Sequence, residues 1–292
     1  MMKKILLSFD YSLSLAKEIS KIKKLPIFIV NKTTLPDQET IITIPTQVKN
    51  AEVILIASLN EPNQKLIDII FTCEACKNNS AQKITLIAPY LCYMRQDRQF
   101  KRGQGISAKI IAQLLSRYID KLITIDPHLH RIKKLSQVYT TKTVTLTAIK
   151  NIENYIRKNY KSPFIIGPDG ESYQWAKTIA DNIGAKAIIL NKVRYSGTKV
   201  KIYTTKELEQ IPKTQKIIII DDIISSGVTL LYIGKFFRNK GYNNLAAIVV
   251  HGIFADNCYP KLKKYYKEII TTNTIVHKTN KISVADIIAE KL

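Results

Sequence analysis

The sequence predicts an α/β protein with two domains, each a mostly parallel sheet flanked by helices. Short apolar runs rich in β-branched residues alternate with helical patterns along the chain. The alternation pauses after Tyr139 and then begins again. A chain of 292 residues is long enough for two domains of ordinary size. We therefore expect one domain at residues 1–143 and a second at residues 144–292.

Six strands are predicted in the first domain, and most of them are separated by helical patterns. The strands cover residues 4–9, 26–30, 40–44, 53–58, 84–88 and 122–125. The helices cover residues 12–23, 64–78 and 107–118. Strands that alternate with helices indicate βαβ units, so this series predicts a parallel sheet with helices on both faces.

The second domain repeats the same alternation. Its predicted strands cover residues 164–167, 187–190, 199–204, 217–220 and 246–251. Its predicted helices cover residues 172–182 and 229–240. We expect a second parallel sheet, and we allow the extreme C-terminus to pack back onto the N-terminal domain.

The composition is strongly basic. Lysine and arginine total 45 against 23 aspartate and glutamate residues, which gives a net charge of +22 at pH 7. Such a charge suits nucleic acid, an anionic membrane or small anionic substrates. The lysines are scattered, and no zinc-finger, helix-turn-helix or aromatic RNA-binding pattern is apparent. We therefore expect no dedicated nucleic-acid binding and favour a basic surface that attracts polyphosphates.

The N-terminal residues and the cysteines indicate a cytoplasmic protein. The apolar run at residues 5–7 is too short for a signal peptide, and no run reaches membrane-spanning length. Cys73 and Cys76 have C-x-x-C spacing, but they lie in a helical pattern with other apolar residues. Core packing is the favoured interpretation over redox or metal chemistry. No membrane partner is expected.

The segment from residue 217 to residue 230 carries the clearest chemical pattern. Four isoleucines form a buried-strand run, and Asp221 and Asp222 follow directly. The next residues lead into a helical pattern and include Ser225, Ser226, Gly227, Val228 and Thr229. Loop N–H groups and a helix N-terminus attract phosphate, while an acidic pair accepts hydrogen bonds from a sugar diol. A sugar phosphate would satisfy both halves; the alternative is an ordinary strand before a capped helix.

Further candidate residues follow other predicted strands, where the active sites of α/β sheets lie. The loop after residues 84–88 is rich in arginine and lysine, which suits a polyphosphate. His128, Asp169 and the stretch at residues 192–194 also come just after strands. Each has an ordinary alternative, respectively a loop histidine, an aspartate that caps a helix and a solvated basic loop.

Several of these motifs resemble known enzyme families. Residues 221–229 resemble the 5-phosphoribosyl 1-diphosphate (PRPP) motif of phosphoribosyltransferases and ribose-phosphate diphosphokinases. Residues 89–98 read Pro-Tyr-x-x-Tyr-x-Arg-Gln-Asp-Arg and are followed by Ile-Ser-Ala-Lys, which resembles the diphosphokinases alone. Residues 35–39 read Leu-Pro-Asp-Gln-Glu, which is similar to their adenine-contacting Phe-Pro-Asp-Gly-Glu. The resemblance covers nearly the whole chain, with the motifs in family order.

The resemblance implies two phosphoribosyltransferase-like domains and a specific reaction. The diphosphoryl group of MgATP would pass to the anomeric hydroxyl of ribose 5-phosphate, giving PRPP and AMP. Mg²⁺ is the implied cofactor. The implied assembly is a homo-oligomer based on a dimer, with a tetramer or hexamer as larger forms.

The resemblance also implies a role for each candidate residue. The ATP-binding residues would be Asp37, Glu39, Arg95, Gln96 and Asp97. The residues that bind ribose 5-phosphate would be Asp221, Asp222, Ser225, Ser226, Gly227, Val228 and Thr229. The catalytic residues would be Lys192, Arg194 and His128, and His128 and Asp169 would lie at the metal.

Two departures from the family pattern bear on function. Leu35 stands where the family has phenylalanine, so an aromatic platform for adenine would be absent, and Val228 replaces a usual glycine. Two other functions fit parts of the pattern. One is a non-catalytic homologue that binds the same ligands and regulates a partner. The other is a phosphoribosyltransferase that joins PRPP to a base.

Overall fold

The computed structural model describes residues 2–194, 200–203 and 206–292. Side chains are described within these ranges except at Glu171 and at residues 191–206. The chain divides into two compact units. Unit 1 comprises Met1–Thr147, Thr274–Val276 and Val284–Leu292, and unit 2 comprises Ala148–Asn273 and His277–Ser283.

Unit 1 is built on a six-stranded parallel sheet. In its described residues, unit 1 has eight strands, six in this sheet and two in a separate pair: β1 (Lys3–Ser8), β2 (Ile27–Ile29), β3 (Asn31–Thr34), β4 (Thr40–Thr43), β5 (Ala51–Ile56), β6 (Lys83–Ala88), β7 (Lys121–Ile125) and β8 (Lys142–Leu146). Its first three helices are α1 (Leu13–Lys23), α2 (Pro62–Asn78) and α3 (Ser107–Ser116). The parallel sheet has the order β2-β1-β5-β6-β7-β8, and β3 pairs with β4 alone.

The central strands of unit 1 are apolar on both faces, which buries the sheet. In β5, Val53, Ile54 and Leu55 are fully buried. Successive side chains of a strand point to opposite faces. Val53 and Leu55 belong to a core cluster that also contains residues of α2 and α3. Burial on both faces explains why these strands appear in the sequence as continuous apolar runs.

The predicted strand at residues 40–44 exists as β4. The prediction that this strand belongs to the βαβ series of the parallel sheet is wrong. β4 pairs antiparallel with β3, with Thr34 opposite Thr40. The two strands are joined by residues 35–39, a connection too short for the crossover that a parallel pair requires. The result is a hairpin beside the sheet, in contact with α2.

Unit 2 contains a second six-stranded parallel sheet. The described strands of unit 2, six in this sheet and two in a separate pair, are β9 (Phe164–Gly167), β10 (Lys186–Ile189), β11 (Asn191–Arg194), β12 (Val200–Tyr203), β13 (Ile217–Ile224), β14 (Leu245–Gly252), β15 (Glu268–Thr272) and β16 (Asn280–Ile282). Its helices are α4 (Ile149–Asn159), α5 (Gly170–Ile183), α6 (Lys206–Glu209), α7 (Val228–Asn239) and α8 (Cys258–Lys263). The sheet order is β10-β9-β13-β14-β15-β16, and β11 pairs antiparallel with β12.

Strand β13 is longer than the sequence predicts. We expected the strand to end at Ile220 and the acidic pair to follow it, but β13 continues to Ile224 and includes Asp221 and Asp222. The register with β14 continues through this stretch, with Asp221 opposite Val249. The acidic pair therefore lies within the strand rather than in the loop after it.

The boundary between the units follows Thr147. The predicted boundary after residue 143 falls inside β8, which is the edge strand of the first sheet. The last helix, α9 (Ala285–Ala289), belongs to unit 1 and packs against α1.

Within the described part of the chain, no helix is both long and apolar enough to cross a membrane. Cys73 and Cys76 are buried free thiols of α2, in agreement with core packing. Desolvation raises the pKa of the Cys76 thiol to about 12, which keeps it protonated and unreactive at neutral pH.

Gly234 in α7 gives a packing prediction. A Cβ atom at this position would lie 2.6 Å from Tyr265 Cβ and 2.9 Å from Tyr266 Cε2. We expect Gly234→Ala to lower the free energy of unfolding by about 1–3 kcal/mol through overpacking. This expected loss of stability is opposite in sign to the intrinsic helix preference, which favours alanine over glycine by about 1 kcal/mol.

Urea denaturation measures this effect, with Gly170→Ala as the control. Gly170 begins α5 and has nothing within 4 Å of an added Cβ, so its variant should unfold at the same or a higher urea concentration. A Gly234→Ala protein as stable as the control would contradict the packing argument.

Candidate active site

The turn from β13 into α7 forms a cradle with backbone N–H groups and hydroxyls. It includes Ser225, Ser226, Gly227, Val228 and Thr229, and α7 begins at Val228. Gly227 has a φ of 71°, and a Cβ there would lie 2.9 Å from Cys258 Sγ, so only glycine fits without a shift. A helix N-terminus preceded by such a turn attracts an anion.

The cradle is supported by the chain that follows β14. The Ser225 carbonyl accepts a hydrogen bond from the Ala255 N–H at 3.0 Å. Cys258 lies beneath the turn, with its Sγ 3.6 Å from the same carbonyl oxygen. These contacts fix the shape of the turn from below.

Two acidic residues from neighbouring strands meet at the carboxyl edge of the unit 2 sheet. Asp169 follows β9 and caps α5, because its Oδ1 accepts the Ser172 N–H at 3.0 Å. The Ser172 hydroxyl oxygen lies 2.9 Å from Asp169 Oδ1 and 2.6 Å from Asp221 Oδ1. β9 and β13 are adjacent strands, so Asp169 and Asp221 are brought together by the sheet register.

Negative charge accumulates at this edge. Desolvation, followed by the charges of Asp222 and Asp169, raises the pKa of Asp221 to about 7 against the hydrogen bonds from Ser172 and the Asp222 N–H. The arrangement therefore favours a ligand that supplies a cation or hydroxyl donors.

The donor chemistry of this edge fits Mg²⁺ as a partly hydrated ion. Carboxylate oxygens are the hard ligands that Mg²⁺ prefers, and this ion usually takes one or two carboxylates plus waters and substrate phosphates. Among the described residues, no group of three or more His, Cys, Asp and Glu side chains could hold a metal ion. With one or two carboxylates to offer, this edge suits an ion that completes its coordination with waters and substrate phosphates.

In unit 1, the basic loop follows β6. Arg95 and Gln96 are exposed, and Gln96 fixes the start of α3 because its side-chain oxygen accepts from the Ser107 hydroxyl. Farther along, Gln104 Oε1 accepts the N–H groups of Phe100 at 3.1 Å and Lys101 at 3.0 Å. The loop is thus held at both ends while its cations face solvent.

Asp97 is held by an ion pair. Its side chain is 4 % exposed, and its Oδ1 lies 3.1 Å from Arg131 Nη1. Its Oδ2 accepts the Arg131 N–H at 3.0 Å. Although burial would raise the pKa of Asp97, these hydrogen bonds and the guanidinium charge lower it below its ordinary value. Asp97 therefore fastens the loop after β6 to the loop after β7, which carries His128.

The hairpin carries Asp37 and Glu39 at its exposed tip. The tip is closed by the Leu35 N–H, which donates to the Glu39 carbonyl at 2.8 Å. Gln38 has a φ of 72°, a left-handed conformation that glycine adopts more readily. The hairpin base is fastened to α2 because Lys32 Nζ lies 2.8 Å from the buried carboxylate of Asp68.

The backbone positions of Lys192 and Arg194 lie in β11, opposite Ile202 and Val200 of β12. Their side chains, and residues 195–199 entirely, are outside the described part of the chain.

Sequence reasoning missed Ser172 and Arg131. Ser172 stands three residues after Asp169, which is the spacing of a helix cap and its partner, so the capping alternative considered for Asp169 could have pointed to Ser172. The contact of Ser172 with Asp221 depends on strand order, and the pairing of Arg131 with Asp97 depends on two loops, so neither has a local signal.

Two parallel-sheet units, one of which has an acidic pair in β13 followed by a hydroxyl-rich turn into α7, define a protein of the phosphoribosyltransferase fold class. Comparison with known proteins agrees with this class. Residues 4–118 match the family model described as the N-terminal domain of ribose phosphate pyrophosphokinase. Residues 134–286 match the phosphoribosyl transferase domain.

Curated relatives narrow the class. A ribose-phosphate pyrophosphokinase of Sulfurisphaera tokodaii is 34% identical over 276 residues, which cover 93% of each chain. One of Pyrococcus furiosus is 30% identical and covers 90% of this chain and 91% of its own. The phosphoribosylpyrophosphate synthetase structure from Mycobacterium smegmatis has a TM-score of 0.85 at 22% identity, covering 99% of this chain and 97% of that one. This chain belongs to the ribose-phosphate pyrophosphokinase family.

The Asp97–Arg131 pair predicts a pH-dependent loss of stability. We expect Arg131→Met to lower the free energy of unfolding at pH 7 by about 1–3 kcal/mol, the usual range for a hydrogen bond to a charged group. Because the folded-state pKa of Asp97 lies below the unfolded value of about 3.9, the pair contributes fully above that pH. Its contribution is lost as the pH falls through the folded pKa.

Denaturant titrations at pH 7 and near pH 3 measure the difference, which should shrink at the acid end. Lys133→Met, at an exposed neighbour outside this ion pair, is the matched control. An Arg131→Met deficit that is equal at both pH values would show that the guanidinium acts by packing rather than by charge.

Proposed function

We propose that this protein is a ribose-phosphate diphosphokinase, the same activity as a pyrophosphokinase. It transfers the diphosphoryl group of MgATP to ribose 5-phosphate and releases PRPP and AMP. The observation that carries the proposal is the turn of hydroxyls and backbone N–H groups between β13 and α7, in a chain of this family that also has the Arg-Gln-Asp loop.

Unit 2 would bind ribose 5-phosphate. The 5-phosphate would accept hydrogen bonds from the N–H groups and hydroxyls of the turn at residues 225–229, where the start of α7 favours negative charge. Asp221 and Asp222 would accept hydrogen bonds from the ribose diol. The diol hydroxyls would offset the like charges that raise the pKa of Asp221.

Unit 1 would bind ATP. Arg95 and Gln96 are exposed on a fastened loop and would contact the nucleotide. Asp37 and Glu39 at the hairpin tip would contact adenine, in the family from a neighbouring subunit. Asp97, proposed as an ATP-binding residue from the sequence, would act mainly by holding this loop through Arg131.

The reaction needs positioning and charge stabilisation, with no covalent intermediate on the protein. The anomeric hydroxyl of ribose attacks the β-phosphorus and loses its proton to water, the bond from that phosphorus to the oxygen of the α-phosphate breaks, and AMP leaves with that oxygen. By the family resemblance, Asp169 and His128 would help to hold Mg²⁺, which would supply positive charge to the phosphate oxygens. Lys192 and Arg194 would offset the charge that develops on the transferred group.

The assembly and compartment are also proposals. The family resemblance supports a homo-oligomer based on a dimer, which the adenine contact from a neighbouring subunit would require. The cytoplasm is the proposed compartment. The two other functions considered from the sequence, a regulatory homologue and a base-joining phosphoribosyltransferase, are not favoured because the curated relatives carry the pyrophosphokinase name.

Product analysis tests the proposal. Purified protein with ATP, ribose 5-phosphate and Mg²⁺ should release AMP and PRPP in equal amounts, and excess chelator should abolish both. ADP as the only nucleotide product would indicate transfer of a single phosphoryl group instead. AMP release that persists in chelator would contradict the metal requirement.

Lys192 and Arg194 give a kinetic prediction. Replacing either by alanine should lower kcat by about 10²–10³-fold, the usual cost of losing one group that stabilises transition-state charge. The KM for ribose 5-phosphate should change much less. Lys177→Ala, which removes an exposed lysine paired with Asp181 in α5, is the matched control. An unchanged kcat in both variants would mean that this stretch is only a solvated surface.

Leu35 gives a binding prediction. Leu35→Phe should restore an aromatic platform and tighten binding of a non-hydrolysable ATP analogue by several-fold, or about 1 kcal/mol. Calorimetry measures this affinity, and Ile41→Phe adds an exposed ring elsewhere on the same hairpin as a control. Equal or weaker binding by Leu35→Phe would mean that adenine does not stack at this position.

A further inference from the structure

A serine hydroxyl lies between the two carboxylates that the proposed function assigns to different ligands. Ser172 Oγ is 2.9 Å from Asp169 Oδ1, on the proposed metal-binding side. The same oxygen is 2.6 Å from Asp221 Oδ1, on the proposed sugar-binding side. Both distances are those of strong hydrogen bonds between oxygen atoms.

While both carboxylates are ionised, one hydroxyl cannot satisfy both at once. A serine O–H has a single proton to donate, whereas an ionised carboxylate can only accept. When the proton points to Asp169, the oxygen of Ser172 faces Asp221 without a hydrogen between them, and the reverse holds for the other orientation. The two carboxylates therefore compete for one donor.

A ligand on either carboxylate changes that competition. A cation beside Asp169 weakens the hydrogen bond that this carboxylate accepts from Ser172. The hydroxyl can then donate to Asp221 and hold that carboxylate in the orientation that a diol needs. A diol that donates to the other oxygen of Asp221 favours the same orientation, with the serine proton on Asp221, and so leaves the carboxylate of Asp169 to the cation. Effects of this kind are reciprocal, because each ligand must raise the affinity for the other by the same factor.

We propose that Ser172 is a positioning residue that couples the binding of a divalent cation at Asp169 to the binding of ribose 5-phosphate at Asp221. The proposal rests on the proposed function, since it concerns the same two ligands. The family resemblance assigned no role to Ser172. The proposed role is to couple the binding of the two ligands without contacting either of them.

The local geometry allows the hydroxyl to be removed cleanly. The backbone N–H of Ser172 donates to Asp169 at 3.0 Å and remains in Ser172→Ala, so the cap of α5 is retained. Ser172→Thr keeps a hydroxyl at the same position. Thr178 is exposed on the same helix, and its hydroxyl donates to the Gln174 carbonyl at 2.8 Å. Thr178→Ala therefore removes a hydroxyl elsewhere on α5 and is a matched control.

Titration calorimetry provides a readout that is independent of turnover. The affinity for ribose 5-phosphate is measured without divalent cation and with saturating Mg²⁺, in the natural protein and the three variants. We expect Mg²⁺ to tighten binding by about fivefold or more in the natural protein, Ser172→Thr and Thr178→Ala. In Ser172→Ala we expect the factor to fall to about twofold or less, because only direct attraction between the charges remains.

The outcomes separate this inference from the proposed function. If Ser172→Ala keeps the full factor, or if Mg²⁺ has no effect on the natural protein, the coupling role is wrong while sugar-phosphate binding stands. If Ser172→Ala binds no ribose 5-phosphate under either condition, Ser172 belongs to the sugar site itself and the coupling role is again wrong. If the natural protein fails to bind ribose 5-phosphate with or without Mg²⁺, both proposals fail.

Discussion

The parallel pairing of β9 with β13 is the constraint on which the candidate site depends. Ile217 lies opposite Phe164 and Ile219 opposite Ile166, so the two strands end at the same edge of the sheet. Asp169 and Asp221 leave the apolar core at that edge. Their proximity is unfavourable by itself, and the buried isoleucine run supplies the packing that holds them there.

Acidic side chains are concentrated at the edge of the unit 2 sheet, and basic side chains are concentrated in the loop after β6 of unit 1. The chain carries a net charge of +22, yet the edge of the unit 2 sheet brings together the partly buried carboxylates of Asp169, Asp221 and Asp222. The basic loop after β6, in contrast, exposes its cations. A polyphosphate would suit the basic loop because it is negatively charged. Its magnesium ion and the neutral hydroxyl donors of a sugar diol would suit the acidic edge.

Two buried carboxylates hold the loops and the hairpin of unit 1 in place. Asp97 accepts two groups of Arg131 and thereby holds the loops after β6 and β7 together. Asp68 accepts Lys32 and holds the hairpin against α2. A site built on fastened loops keeps its geometry before the ligand arrives, which reduces the entropy that binding would otherwise cost.

Much of the fold and part of the site could be predicted from the sequence, because the relevant signals are local. Four consecutive isoleucines indicate a strand buried on both faces, and the glycine and hydroxyl residues after them indicate a turn that can hold phosphate. The strand β8 escaped prediction because Lys142–Leu146 is a half-exposed edge strand with alternating polar residues. Such a pattern is easily taken for the domain boundary that we expected there.

The tertiary structure alone decided which side chains meet. Strand order places Ser172 between Asp169 and Asp221, although Ser172 and Asp221 are 49 residues apart along the chain. Loop packing pairs Arg131 with Asp97, and the short connection at residues 35–39 turns β4 into a hairpin strand. By itself the sequence determined element type and residue chemistry, since these follow from local periodicity. Partners of distant residues depend on packing, and local periodicity carries no information about that.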